Sequence, residues 1–169
     1  VSTLVTQGGK RDGANMAVMN VHHPDIEEFI DCKTEEGSIH NFNISVGATD
    51  AFMNAVKNNE DYDVIDPISK EVVSKKNARQ LFDKIVKGAW KNGEPGIIFL
   101  DEVNRKSPVS HLGEMTATNP CGEQPLLPNE SCNLGSINLS KFLNEDNTSL
   151  DWDKLRDTCL LYTSDAADE

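Results

Sequence analysis

Residues 96–101, GIIFLD, make a short apolar run without polar alternation. A strand of this kind needs cover on both faces, which a largely parallel sheet flanked by helices provides. The segment before it supplies one such helix. Asn77, with Gln80 three residues on, makes a capping-box-like start for ARQLFDKIVKGAWKN, where Leu81, Phe82, Ile85, Val86, Ala89 and Trp90 line one side and Gly93 ends the helix. Upstream, VSTLVTQGGKRDG reads as a strand running into a glycine turn. HHPDIEEFIDCK reads as a short helix with Pro24 at its first position and Ile26, Phe29 and Ile30 on its apolar face. HNFNISV alternates Phe42, Ile44 and Val46 with polar residues, the pattern of a half-buried strand. Thr49 caps a second helix, DAFMNAVKNN, and YDVIDPISKEVVS folds back on itself at Asp66-Pro67. The order strand, helix, strand, helix, helix, strand predicts an α/β protein with a largely parallel sheet or barrel. Its sites would lie on loops at strand ends.

With 169 residues the chain suits one domain with a real core. Sixteen basic against 28 acidic side chains leave a net charge of −12, which argues against a surface that holds nucleic acid. No apolar run is long enough to span a bilayer, so no membrane partner is expected and the cytoplasm is the default location. Cys32, Cys121, Cys132 and Cys159 form no CxxC pair, and neither a disulfide scaffold nor a zinc ribbon is suggested. No metal site is expected. His22, His23 and His40 suit helix entry and surface roles. The acids Glu27, Glu28, Asp31, Glu35 and Glu36 read as a solvated face, Met16, Met19 and Met53 as core, and Cys32 as packing.

The segment NPCGEQPLLPNESCNLG, residues 119–135, cannot be explained as packing so easily. Pro120 biases Asn119 towards an extended conformation, Gly122 loosens the chain directly after Cys121, and Pro125 and Pro128 oppose helix or central strand. This is a stiff loop presenting a thiol. If its backbone is extended, Asn119, Cys121 and Glu123 point to one side, because side chains alternate along a strand. Glu123 would raise the thiol's pKa, and the nearest histidine, His111, is ten residues away, so nucleophilic catalysis requires a remote base. A loop-filling cysteine remains as the simpler reading, whereas zinc is disfavoured because Cys121 and Cys132 lack the tight pairwise spacing of structural sites. A further use of a thiol is as donor and acceptor of a hydrogen atom. That role tolerates a neighbouring carboxylate, leaves Glu123 free as a base and Asn119 free to bind a polar substrate, and needs an initiating cofactor or protein.

NPCGEQPLLPNESCNLGSINLSKF resembles the finger loop of the ribonucleotide reductase catalytic barrel, most closely in the adenosylcobalamin-dependent, class II enzymes. TQGGKRDGANMAVMNVHHPDIEEFI, NFNISVGATDAFMNAV and GEPGIIFLDEVNRKSP are similar to further parts of that barrel, in order. The resemblance implies part of a ten-stranded α/β barrel, incomplete here, that contains the finger loop. It implies reduction of ribonucleoside di- or triphosphates by thiyl-radical chemistry, with adenosylcobalamin as cofactor. By position, Cys121 would carry the thiyl radical, Glu123 would take the 3′-hydroxyl proton, and Asn119 would hold the sugar hydroxyls. Cys132 would be one half of a redox-active pair whose partner lies outside the fragment. Gln7, Gly8, Gly9, Lys10 and Arg11 match the specificity loop that senses a deoxynucleotide effector, although GGKRDG alone is a common kind of turn. The resemblance further implies a thioredoxin- or glutaredoxin-like reductant and a homodimer in the full-length enzyme. The alternatives are a class I catalytic subunit that takes its radical from a partner subunit and a non-catalytic nucleotide-binding homologue.

Both ends suggest a piece of something longer. Residues 1–158 read as a fragment of the catalytic barrel domain, expected to be inactive and poorly folded alone because a broken barrel leaves strand edges unpaired. After a helix start at Asp151, the apolar spacing of CLLYTSDAADE does not continue the helix. Its codons can be written as the transposase mosaic-end adapter used in sequencing libraries. Residues 159–169 are therefore read as a translated adapter rather than native sequence.

Overall fold

The parallel sheet expected around residues 96–101 is present, and its central strand is NFNISV rather than GIIFLD. The computed structural model describes residues 6–7, 11–33, 42–132 and 135–165. These belong to two compact units, Val1–Glu130 and Ser131–Glu169.

In the first unit β1 (Thr6–Gln7) and β2 (Arg11–Asp12) pair antiparallel. They are followed by β3 (Asn15–Asn20), α1 (Ile26–Asp31), β4 (Phe42–Ala48) and α2 (Asp50–Asn58). The hairpin β5 (Asp61–Ile65) and β6 (Val72–Asn77) comes next, then α3 (Ala78–Asn92), β7 (Gly96–Phe99) and α4 (Leu100–Arg105). β8 (Ala117–Thr118) and β9 (Pro125–Leu126) complete it. β3, β4 and β7 form one parallel sheet in that order. Among the described residues no sheet closes into a barrel.

The register assigns the two faces of this sheet. Met16, Val18 and Asn20 align with Asn43, Ser45 and Gly47, and Ser45 and Gly47 align with Gly96 and Ile98. On the opposite face Val46 and Ala48 join a core with Val21, Ile26, Ile30, Phe52, Val64, Leu81 and Ile85, all buried. Phe52 meets the Tyr62 ring edge-on, with centroids 5.0 Å apart. Such contacts contribute about 0.5–1.5 kcal/mol beyond burial.

Caps define where the helices start. The Thr49 hydroxyl accepts the Phe52 N–H at 3.1 Å, and the Asn77 side chain accepts the Gln80 N–H at 3.0 Å, both as the sequence predicts. Gly93, at φ 85°, ends α3 in the left-handed region. His22 is half-buried and joins three elements instead of lying at the surface. Its Nδ1 is 2.7 Å from the Asp63 carbonyl, which can only accept, so Nδ1 carries the proton and Nε2 faces the Thr49 hydroxyl at 2.9 Å.

Several expectations change. α1 begins at Ile26, two residues after Pro24. β4 is buried throughout Ile44–Ala48, because its polar residues face protein rather than water. β7 is only half-buried, since it lies at the edge of the described sheet, and the chain turns into α4 at Leu100. On α3 only Ala78, Leu81 and Ile85 are buried, whereas Val86 and Trp90, rotated away from the sheet, are 49% and 89% exposed. Cys32 is exposed, so it is not packing. Glu27 pairs with Lys76 and Lys84, and Asp31 with Lys84. Met19 and Met53 pack on the core as expected. His40, Glu35 and Glu36 lie outside the described residues.

The second unit holds a 3-10 turn over Leu139–Phe142 and α5 (Trp152–Asp165). Asp151 caps α5 through the Lys154 N–H at 3.0 Å. The helix runs through the tail that the apolar spacing would have excluded, but Leu160 and Leu161 stay 60% and 67% exposed.

The Tyr62 hydroxyl is buried without a hydrogen-bond partner. Burial, and secondarily the charge of Glu27, push its pKa up from 10 to about 12. The folded chain therefore holds this proton more tightly than the unfolded chain. The associated stability is present below pH 10 and is lost as pH rises through about 12. In the full-length protein, Tyr62→Phe should be no less stable than the parent at neutral pH, because the lost hydroxyl was unpaired. Urea midpoints measured at increasing pH above 10 should show a growing advantage for the variant, and a constant difference would contradict this account.

Candidate active site

The segment 119–124 is the loop of a hairpin. Asn104, on α4, delivers the chain to it, accepting the Met115 N–H at 2.7 Å and donating to the Met115 carbonyl at 3.0 Å. β8 and β9 then pair antiparallel, Ala117 opposite Leu126 and Thr118 opposite Pro125. Asn119 closes the loop twice. Its N–H donates to the Gln124 carbonyl at 3.1 Å, and its Oδ1 accepts the Gln124 N–H at 3.0 Å. The Gly122 N–H donates to the Asn119 carbonyl at 3.0 Å, making a tight turn with Pro120 and Cys121 at its centre. Proline presets the first central position, and Gly122 takes φ 82°, which favours glycine.

This geometry removes the extended-backbone premise, because the turn at Pro120–Cys121 breaks the alternation of side chains. Asn119 is buried at 5% exposure, while Cys121 and Glu123 are exposed. Since the Gln124 N–H can only donate, the atom of Asn119 facing it must be oxygen, and the NH₂ group is what remains to bind another molecule.

The tip lies against the Asn43 face of the sheet. The Asn43 Nδ2 donates to the Pro120 carbonyl, and a cleft of about 470 Å³ is lined there by Met16, Asn43, Ser45, Glu94, Gly96 and Cys121, among others. A side chain at Gly96 would meet the Ser45 hydroxyl at 2.7 Å, so its absence allows β7 to run beside Ser45. Met16 thus borders the cleft rather than the core. Asn43 and Ser45 escaped the sequence reading because their alternation looked like a solvent face. The available signal was that these positions carry Asn and Ser, not the Lys or Glu usual on wet strands.

The remaining candidates are placed separately. Cys132 is half-buried in the second unit. Gln7 and Arg11 are register partners across the β1–β2 turn, and Gly8, Gly9 and Lys10 lie outside the described residues. Among the described residues no three His, Cys, Asp or Glu side chains are grouped to hold a metal.

Comparison with known proteins gives this hairpin a context. The model of the ribonucleotide reductase barrel domain matches residues 1–165. This chain belongs to the ribonucleotide reductase barrel family. It is 53% identical over 156 residues to a vitamin B12-dependent ribonucleoside-diphosphate reductase of Thermoplasma acidophilum, covering 92% of the chain and 20% of that protein. It is 49% identical over 155 residues to the enzyme of the same description from Mycobacterium tuberculosis, covering 91% of the chain and 22% of that protein. A vitamin B12-dependent ribonucleotide reductase of Streptomyces avermitilis is 33% identical over 167 residues, covering 85% of the chain and 17% of that protein. The chain thus spans about a fifth of the length of these relatives. The fold class expected from the sequence is that of the matching family, with the described strands forming part of a barrel and not a closed one.

The role of Asn119 as a loop clasp can be separated from its chemistry. Asn119→Asp keeps the acceptor for the Gln124 N–H, whereas Asn119→Ala leaves that donor unpaired. An unmade bond of about 1.4 kcal/mol corresponds to tenfold in opening. Amide exchange at Gln124 in the full-length protein should therefore quicken about tenfold in the alanine variant and change little in the aspartate variant. Equal protection in all three proteins would show that the clasp is unnecessary.

Proposed function

We propose that the protein to which this chain belongs reduces ribonucleotides to deoxyribonucleotides by thiyl-radical chemistry, using adenosylcobalamin. The observation that carries the reading is the pinned turn. It holds Cys121 exposed over a cleft, with Glu123 exposed two residues on and the Asn119 amide directed by its own clasp. A hydrogen-atom carrier needs this combination of an accessible S–H bond and a backbone that cannot wander. Adenosylcobalamin, when bound, supplies the radical equivalent that takes the hydrogen atom from the Cys121 thiol.

The Cys121 sulfur removes the hydrogen atom from the 3′ carbon of the ribose, and Glu123 accepts the 3′-hydroxyl proton while the Asn119 NH₂ group binds the sugar hydroxyls. The 2′-hydroxyl leaves as water. Cys132 and a second thiol outside this sequence give up two electrons and two protons as they become a disulfide: one proton leaves with the 2′-hydroxyl as water, the other ends on the 2′ carbon, Glu123 returns its proton to the 3′ oxygen, and Cys121 returns its hydrogen atom to the 3′ carbon. A thioredoxin- or glutaredoxin-like protein then reduces the disulfide. Gln7, Lys10 and Arg11, with Gly8 and Gly9, form the loop that senses a deoxynucleotide effector, and the full-length enzyme is a homodimer. The antiparallel pairing of Gln7 with Arg11 supports the reading by bringing the two flanks of that segment together. No described helix is long and apolar enough to cross a membrane.

We also propose that residues 159–169 derive from adapter DNA. A source read that continues past Glu169 into further reductase sequence would overturn this.

In the full-length enzyme, reduction should require adenosylcobalamin and fall to background in Cys121→Ser. Cys132→Ser should lose turnover while retaining exchange of the substrate 3′ hydrogen. Multiple turnovers in Cys121→Ser would refute the thiyl assignment.

A further inference from the structure

We propose that Asn43 is a positioning residue for the Cys121 thiol: from the central strand of the sheet it grips the carbonyl of Pro120, the peptide that leads directly into the cysteine. The proposal rests on the radical reading of Cys121 above and adds a residue to it.

Two features set Asn43 apart from an ordinary sheet amide. It stands on β4, which is laddered on both sides, by Met16 opposite Asn43 in β3 and by Ser45 opposite Gly96 in β7. A side chain rooted there has little backbone freedom. Its Nδ2 donates to Pro120, one peptide bond from the Cys121 backbone. The loop's other hydrogen bonds described above, Asn119 with Gln124 and Gly122 with Asn119, shape the turn but join it to nothing outside the hairpin. Among the described residues, the Asn43 bond ties the backbone of the turn itself to the sheet, while β8 packs against β3 beside it. Both residues line the same cleft, so rotation of the hairpin would carry the sulfur along its wall.

The chemistry is sensitive to such a shift. Hydrogen-atom transfer requires the sulfur to contact the 3′ hydrogen, and misplacement by about 1 Å costs up to about 10²-fold in rate. Asn43 touches neither the substrate nor the thiol in this account. It acts through the Pro120 peptide.

The test uses the full-length reductase with Asn43→Ala, which removes the donor, and Asn43→Asp, which places a carboxylate against the carbonyl. In both, kcat should fall by about 10- to 100-fold while KM for the ribonucleotide changes less than about threefold. The isotope effect on kcat with 3′-deuterated substrate should rise, because the transfer to sulfur becomes slower relative to product release. The rate at which iodoacetamide alkylates Cys121, followed by mass spectrometry without nucleotide, should change while that of Cys132 does not. A parent enzyme without reductase activity would refute the function but leave the alkylation result to decide the anchoring. Unchanged kcat and alkylation in both variants would overturn the proposal. So would a loss confined to KM, or a loss of kcat that only tracks a lower melting temperature.

Discussion

The paired backbone of β4 is the interaction on which the first unit depends. Flanked by β3 and β7, it satisfies its peptide groups on both edges, which lets a strand lie buried at Ile44–Ala48 without orphaned donors or acceptors. Its two faces then serve different purposes. Val46 and Ala48 hold the helices, while Asn43 and Ser45 leave a small, uncharged surface beside the hairpin tip and Gly47 makes room for Leu100. A larger or charged residue in that row would displace the turn or strand a buried charge.

Stability and function draw on different forces across this sheet. The helical side is dominated by apolar burial around Phe52, at about 25 cal/mol per Å². The ion pairs around it contribute far less. Lys76 and Lys84 reach Glu27, and the Lys76 hydrogen bond holds the Glu27 carboxyl below its ordinary pKa against the opposing effect of burial. With these side chains 29–45% exposed, such pairs contribute about 0–1 kcal/mol each. On the hairpin side the key contacts are hydrogen bonds of fixed direction: Asn104 to Met115, Asn119 to Gln124 and Asn43 to Pro120. Three asparagines supply them, since a short amide both donates and accepts and can stand in for a backbone group.

Local signals predicted local structure well. Thr49, Asn77 and Asp151 cap the helices expected of them, Gly93 ends α3, and the Asp66-Pro67 hairpin forms. Each depends on atoms within a few residues, so the sequence contains the whole interaction. Burial was less legible. Val86 and Trp90 carry the apolar spacing of a core face but stand in the open, and Asn43 and Ser45 carry the spacing of a wet face but lie against protein. Periodicity shows that a strand or helix has two sides, not what covers each.

The residue types of the proposed site were present in the sequence, where Asn119, Cys121 and Glu123 stand within five residues beside Pro120 and Pro125. The proline and glycine placement also determined that a stiff loop would present the thiol, because both act on backbone torsions directly. Only the tertiary structure decided how those side chains are directed. A turn held by Asn119 and Gly122 replaces the extended strand, and a contact between residues 43 and 120 seats it on the sheet. That contact spans most of the first unit, and a hydrogen bond between positions so far apart leaves no periodic trace in the chain.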